Sequence, residues 1–524
     1  MSDVGAALRL VRAGWIMARE GVVAALPGDQ LAGLPKFGWR VARLFTKRRA
    51  LRRGRSDRLA AAIARLGPSY VKLGQFLATR PDVVGNDIAL DLALLQDRME
   101  TFPMADSVAA IEGSLGRPLG DLFLSFGDPV AAASIAQVHA AEVDRDGVPT
   151  KVAVKVIRPG VRRAFQRDLD SYFLAARLQE RYIPAARRLR PVEVTKTLAQ
   201  TTKIEMDLRL EAAALSELGE NTRDDPGFRV PAVDWVRTGR DVLTLEWIDG
   251  IKMSNVAALE AAGHDLRAVA ANLVQSFLRH TLRDGFFHAD MHPGNLFVEA
   301  DGTIAGVDFG ITGRLGKKER RFLAEILFGF ITRDYRRVAA VHFEAHYVPP
   351  RHDVAAFAQA IRAIGEPIHG QPAETISMAK LLTLLFEVTE LFDMETRPEL
   401  VLLQKTMVVV EGVARALDPK LDMWKTADPV VREWMARHLG PVGKLEDAVE
   451  GASELGRFVA QVPALLSRAG TLMDQLDTIT RNGLQLAPDT IAAIGAAEAR
   501  RDRWKTGALW AIAGGLAWLI YLVI

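Results

Sequence analysis

The chain has 524 residues, 49% hydrophobic and 25% charged, with 67 basic and 64 acidic side chains giving a formal net charge of +3. That mixture specifies packed globular structure rather than disorder, and the near-balanced charge gives no ground for a nucleic-acid partner. With no cysteine, disulfides, thiolate nucleophiles and cysteine-ligated metals are excluded, and 10 histidines without an HExxH argue against a zinc enzyme.

In chain order, residues 1–60 read as a basic, amphipathic helical segment without the apolar core and small-residue cleavage site of a secretory signal. Within it, Lys47, Arg48, Arg49, Arg52 and Arg53 interleave with Trp39, Val41, Leu44 and Phe45. That pattern suits either a helix lying on anionic lipid or a solvated helix face. Residues 61–128 show apolar spacings of three and four, so a helical extension is expected. Residues 129–250 form the next unit. Two short β-rich runs flank an alanine loop between Pro129 and Ile157, long helices fill 161–220, and "FRVPAVDWV" and "DVLTLEWIDG" read as strands.

Residues 251–440 are mainly helical, broken by short strand-like runs near 286–312, and 441–504 continue as helix. His342 and His346 are four apart and would share one helix face, but two histidines without a third ligand define no zinc site. No repeat of 20 to 50 residues is present. The chain ends on "GALWAIAGGLAWLIYLVI", 18 uncharged residues from Gly507 to Ile524. As a helix this spans about 27 Å, close to a bilayer core of about 30 Å. With "EARRDRWK" before it, residues 505–524 are expected to be a single transmembrane anchor that keeps the rest in the cytoplasm.

The chemistry concentrates in "HADMHPGNLFVEADGTIAGVDFG", His288 to Gly310. Asp290 and Asn295 are five apart, and Asp308 follows thirteen residues later at the end of an apolar run. Phosphoryl transfer from a nucleotide needs one oxygen group to accept a proton or position the acceptor, and others to hold Mg²⁺ against the phosphates. Magnesium prefers hard oxygen donors, which suits Asn and Asp. Upstream, "VAVK" places Lys155 on a strand between valines, where an ammonium needs opposite charge such as phosphate or a helix glutamate. The alanine-rich run Ala131, Ala132, Ala133, Ser134, Ile135, Ala136, Gln137 and Val138 sits where a nucleotide-covering loop would use glycine; alanine restricts positive φ and stiffens the phosphate grip.

These residues resemble the protein-kinase-like fold. "KLGQ", "AAASIAQVH", "EMD" and "HADMHPGN" together resemble the UbiB (ABC1/ADCK) family of atypical kinases over roughly residues 60–340. The resemblance implies an α+β, bilobal kinase-like fold with a helical N-terminal extension and a C-terminal transmembrane helix. It implies ATP and Mg²⁺ as cofactors, Lys155 as the nucleotide lysine with Glu211 as its helix partner, Asp290 as the catalytic-loop acid, and Asn295 and Asp308 as metal ligands. Lys72 and Gln75 would belong to an insert entering the cleft, with the acidic pair Glu205 and Asp207 facing it. It further implies a bacterial inner-membrane protein supporting ubiquinone biosynthesis, whose partners are polyprenyl quinone precursors in the lipid and the pathway's enzymes.

Two departures from ordinary protein kinases bear on the acceptor. Ala289 stands where those enzymes have arginine, and after Gly310 the chain passes almost at once into a helical pattern with no "APE". Phosphorylation of proteins is therefore disfavoured against ATP hydrolysis or action on a small molecule. Alternatives are a small-molecule kinase, since "HADMHPGN" also resembles aminoglycoside and choline kinases, and a nucleotide-binding pseudokinase scaffold.

Overall fold

The computed structural model describes residues 3–23, 45–47, 54–78, 84, 88, 91–92, 100–182, 187, 190–367, 388, 391–394 and 398–438. The chain divides into two compact units, 1–435 and 436–524, the second described only to residue 438. The sequence-predicted membrane anchor at 505–524 and most of the basic segment at 36–58 lie outside the described residues. Among the described residues no helix is long and apolar enough to cross a membrane.

The first unit opens with α1 (Asp3–Arg19), α2 (Arg55–Leu66) and α3 (Pro68–Ala78). Gly67, at φ +106°, ends α2, and Pro68 starts α3 one residue later, since proline's fixed φ suits a first helical turn. Helices α4 (Met104–Leu115) and α5 (Leu119–Leu122) precede a sheet formed first by β1 (Ser125–Ala132), β2 (Ala136–Arg145) and β3 (Val148–Ile157). The β2–β3 hairpin turns on Asp146 and Gly147, both at positive φ, as a two-residue turn matched to strand twist requires. Strand β1 starts at Ser125, four residues ahead of the sequence-predicted boundary at 129.

Period-two alternation sorts the sheet's faces. Val152, Val154 and Val156 are fully buried on one face, against Phe102, Ile111 and Leu122. Lys155 is thereby sent to the other. Helices α6 (Val161–Tyr182), α7 (Pro191–Glu205) and α8 (Leu208–Asn221) follow. Tyr70 and Val71 of α3 pack with Leu169 and Tyr172 of α6 and Leu198 of α7, which fixes the extension to the sheet lobe.

Of the expected strand "FRVPAVDWV", β4 (Phe228–Arg229) forms, and beyond Pro231 there is an isolated bridge from Val233 to Leu245. Pro231 cannot donate to a ladder, and Asp234 instead accepts from the Arg237 N–H at 3.2 Å, winding Trp235–Arg237 into a 3₁₀ turn. Next come β5 (Val242–Glu246), completing the first sheet in the order β1-β2-β3-β5, and β6 (Gly250–Lys252). The larger lobe continues with α9 (Val256–Ala261), α10 (Leu266–Arg279) and a π turn at His280–Asp284. The strand-like runs expected near 286–312 are β7 (Phe286–His288), β8 (Leu296–Glu299), β9 (Ile304–Gly306) and β10 (Thr312–Arg314).

β4, β9, β8 and β6 form a second four-stranded sheet, and β10 pairs with β7. Arg229 joins the lobes, bonding Glu246 of β5 at 3.0 Å and Glu299 of β8 at 2.6 and 2.8 Å. Helices α11 (Lys317–Ile331), α12 (Tyr335–Glu344), α13 (Val354–Gly365), α14 (Pro398–Leu417) and α15 (Met423–His438) complete the lobe. Because α12 ends at Glu344, His346 lies beyond the helix and does not share a face with His342.

Candidate nucleotide site

The site starts from a buried carboxylate. In α8, Leu208, Glu211, Ala212, Leu215 and Leu218 are all buried, so Glu211 lies on the core-facing stripe of the helix. A carboxylate there requires a cation. Lys155 supplies it, with Nζ donating to Glu211 Oε1 at 2.8 Å and Oε2 at 3.0 Å. The same ammonium donates to Asp308 Oδ1 at 2.8 Å. Burial opposes the Lys155 charge, but Asp308 and Glu211 outweigh it and hold the pKa above that of an ordinary lysine. Burial raises Glu211 above the usual carboxylate range although Lys155 pulls the other way. The Lys155 charge draws Asp308 down to about 2.

Asp308 follows β9 with φ +63°, a conformation few non-glycine residues adopt and one that concentrates at functional sites. Its side chain keeps 45% of its surface open, so the carboxylate is held by lysine on one side and accessible on the other. The 290–295 loop is fastened to this segment from two directions. Val307 N–H donates to the Asn295 carbonyl at 2.9 Å. His288, buried, accepts the Asp290 N–H on Nδ1 at 3.2 Å and lies 3.2 Å from the Val307 carbonyl through Nε2. That pairing defines the neutral tautomer with the proton on Nε2, and burial lowers the His288 pKa to match. Asn295 Nδ2 donates to the Asp290 carbonyl at 3.1 Å and to its Oδ2 at 3.4 Å. Lys155, Glu211 and Asp308 therefore meet directly, and Asp290 and Asn295 join them through His288 and Val307. The sequence motif contained His288 without a role; its place between two loop backbones becomes legible only in the fold.

The expected insert reaches the same cluster. Lys72 of α3 lies 2.9 Å from Glu205 at the end of α7. Lys72 acts electrostatically on Asp308, and Glu205 on Glu211. Gln75, partly buried, lies one turn further along α3. Asp207 departs from the expectation of an acidic pair facing the insert. It caps α8 by accepting from the Arg209 N–H at 3.3 Å, and binds the Arg209 guanidinium at 2.6 and 2.9 Å. Only Glu205 of the two pairs with α3.

Along the alanine-rich run, Ala131 pairs with Val138 and Ala132 with Gln137, and Ala133 N–H donates to Ala136 O at 2.8 Å. None of these residues has positive φ, so alanine fits the loop it forms. Ser134, Ile135 and Ala136 are buried. Val138 lies opposite Lys155 in the ladder and so shares the cleft face, whereas Gln137 lies opposite Val156 on the core face. The Gln137 side chain is a correction to the sequence-based expectation that it contacts nucleotide. Fully buried, it accepts from Phe102 N–H at 2.9 Å and donates to Ser107 Oγ at 2.9 Å, beside His139.

The oxygen donors suit a magnesium ion bound together with phosphate. Asn295 commits its amide nitrogen to Asp290 and so presents the amide oxygen, and Asp308 offers an accessible carboxylate; Mg²⁺ commonly takes one or two such protein ligands and completes its shell with water and phosphate.

A lysine on the third strand of an antiparallel sheet, paired to a helix glutamate and to an Asp on the loop after β9, defines a kinase-like phosphotransferase cleft. Similarity in sequence agrees. Residues 94–342 match the ABC1 atypical kinase-like domain, and 361–422 match the UbiB helical domain. The protein named "Probable protein kinase UbiB" from Marinobacter nauticus is 39% identical over 519 residues, covering 97% of this chain and 93% of that one. Proteins of the same name from Aeromonas hydrophila (41%, covering 81% and 78%) and Pseudomonas putida (37%, covering 95% and 96%) are similar. A solved structure described as the Rv3197–erythromycin complex from Mycobacterium tuberculosis has 22% identity and a TM-score of 0.47, covering 74% of this chain and 96% of that one. The chain belongs to the UbiB family of atypical kinases.

Proposed function

We propose that this protein binds Mg-ATP in the Lys155 cleft and uses its turnover to support ubiquinone biosynthesis at the membrane, acting on polyprenyl lipid intermediates or giving soluble pathway enzymes access to them. The observation that carries the nucleotide reading is the Lys155 ammonium held at 2.8 Å by both Glu211 and Asp308. In this reading Lys155 binds the α/β-phosphates, Glu211 fixes its direction, and Asp290 accepts or orients the acceptor's proton. Asn295 and Asp308 hold Mg²⁺, which when bound offsets phosphate charge. Val138 and the alanine loop cover the nucleotide, while Lys72, Gln75 and Glu205 border the cleft.

The segment after Gly310 supports an acceptor other than a protein. Six residues separate Gly310 from the start of α11 at Lys317, and three of them are β10, paired with β7. That leaves no length for an activation-segment platform on which a peptide could lie.

The family membership supports the quinone pathway, and the 18 uncharged C-terminal residues support a single-pass anchor in the bacterial inner membrane with the catalytic part in the cytoplasm. The test is quinone profiling of a deletion strain complemented with wild type or Asp308→Asn, alongside ATP hydrolysis by both purified proteins. Rescue and turnover by the wild type alone are expected. Equal ATP turnover by the two proteins would remove the catalytic reading, and an unchanged quinone profile in the deletion strain would remove the pathway.

A further inference from the structure

Helix α1 is two-faced in an unusual sense. One face, with Ala6, Ala13 and Ile16 buried, packs on α6. The other carries Val4, Leu8, Val11 and Trp15, spaced four, three and four, with 68%, 65%, 70% and 46% of their surfaces exposed. That is an apolar stripe running three helical turns along the protein surface with no protein element over it among the described residues. At its end Trp15 meets Phe45, itself 51% exposed, with ring centroids 5.1 Å apart.

Beyond Asp3 at its first position, the charge along the helix is of one sign. From Val4 to Arg19 the helix contains Arg9, Arg12 and Arg19 and no acidic residue, and Arg12 and Arg19 are exposed. The next acid, Glu20, is buried and neutralised by Arg65 at 2.9 Å and by Lys47. Immediately after Phe45 the sequence adds Lys47, Arg48, Arg49, Arg52 and Arg53. Exposed aliphatic side chains, an aromatic pair at their edge and flanking cations suit one kind of surface: apolar just below, anionic at the boundary.

We propose that the α1 stripe docks on an anionic phospholipid surface, with Val4, Leu8 and Val11 entering the acyl boundary, Trp15 and Phe45 at headgroup level, and Arg12 and Arg19 on lipid phosphates. This contact is separate from the C-terminal segment and independent of nucleotide. It sets α6 and then α7 behind α1 on the side away from the leaflet, because α1 packs on α6, which packs on α7.

The absence of native cysteine makes the test clean. Full-length protein with Leu8→Cys or Val11→Cys carries an environment-sensitive fluorophore, and Val236→Cys, at a position 69% exposed on the 3₁₀ turn, serves as control. Each is added without ATP to phosphatidylcholine vesicles, with or without phosphatidylglycerol, containing spin-labelled quencher lipids. Quenching several-fold greater at positions 8 and 11 than at 236, dependent on phosphatidylglycerol and reduced several-fold by Arg12→Glu with Arg19→Glu, is expected. Equal quenching at all three positions, or none at 8 and 11, would overturn the proposal. So would labels at 8 and 11 already shielded without lipid, which would assign the stripe to a second copy or to the C-terminal segment. Because no arm reads ATP turnover, failure of the nucleotide reading would show separately.

Discussion

Lys72 and Glu205 form an ion pair at 2.9 Å whose side chains are only 14% and 7% exposed, joining the N-terminal extension to the end of α7 beside the Lys155 cluster. Removing one partner of so enclosed a pair strands the other charge, which costs about 3 kcal/mol, whereas replacing both with apolar groups recovers much of the loss. Lys72→Met alone is therefore expected to lower unfolding stability substantially, and Lys72→Met with Glu205→Leu to restore at least half of it. Urea unfolding of the single and double variants measures the coupling. Strictly additive effects would mean the two charges do not interact in solution.

Asp308→Asn keeps the shape of the side chain and removes the charge that faces both Lys155 and the open cleft. ATP turnover should fall by about 10²–10³-fold, the scale on which a preorganised electrostatic contact acts. Global stability should change less than for Lys155→Met, which would leave Glu211 buried without its cation. Comparison of turnover and thermal midpoint for the two variants separates the roles. Lys155→Met and Asp308→Asn having equal midpoints would contradict the assignment of Glu211 as the dependent partner.

The ionisation of this cluster fixes where pH matters. Asp308, at about 2 when folded, lies below the unfolded aspartate value of about 3.9. Its contribution to stability is thus present above about pH 4 and is lost as pH falls toward 2. Lys155 is raised above its unfolded value of about 10.4, so its contribution is complete below that pH and is lost only as pH rises through the higher folded value. Between about pH 5 and 9 neither group should impose a slope. Denaturant midpoints followed from pH 7 to pH 3 should fall more steeply for wild type than for Asp308→Asn.

The grouping of the His288–Gly310 motif was legible in the sequence because it depends on spacing: Asp290, Asn295 and Asp308 lie on short loops tied together by nearby backbone. Lys155 was legible from strand alternation, since its valine neighbours had to face the core. The same alternation could have placed Gln137 with His139, Ala141 and Val143 on the core face, but membership in the alanine-rich run suggested a nucleotide contact instead. Asp207 misled for a different reason: its helix-capping partner is Arg209, two residues away, and local capping competes with any longer reach. Gln137→Ala tests the corrected role. It leaves the Phe102 backbone N–H without its buried acceptor, a loss of about 2 kcal/mol. A fall in thermal midpoint with little change in KM for ATP is expected; the reverse would return Gln137 to the nucleotide.

Gly285 sits between the π turn and β7, the strand that delivers His288 and Asp290. Its φ is +68°, and a Cβ there would lie 2.5 Å from the Leu315 carbonyl oxygen and 2.9 Å from Arg320 Cδ. Leu315 also donates its N–H to the Gly285 carbonyl at 2.8 Å, so the crowded backbone cannot withdraw without breaking that bond. Gly302, at φ +88°, provides the matched control, because nothing lies within 4 Å of a Cβ there. Gly302→Ala should cost only the conformational penalty of about 1 kcal/mol. Gly285→Ala adds overpacking of about 1–3 kcal/mol and displaces the start of β7. The expected outcome is a lower thermal midpoint for Gly285→Ala than for Gly302→Ala, together with a kcat loss confined to Gly285→Ala. Equal midpoints would show that the Leu315 segment yields to the added methyl group, and that β7 is not held from this end.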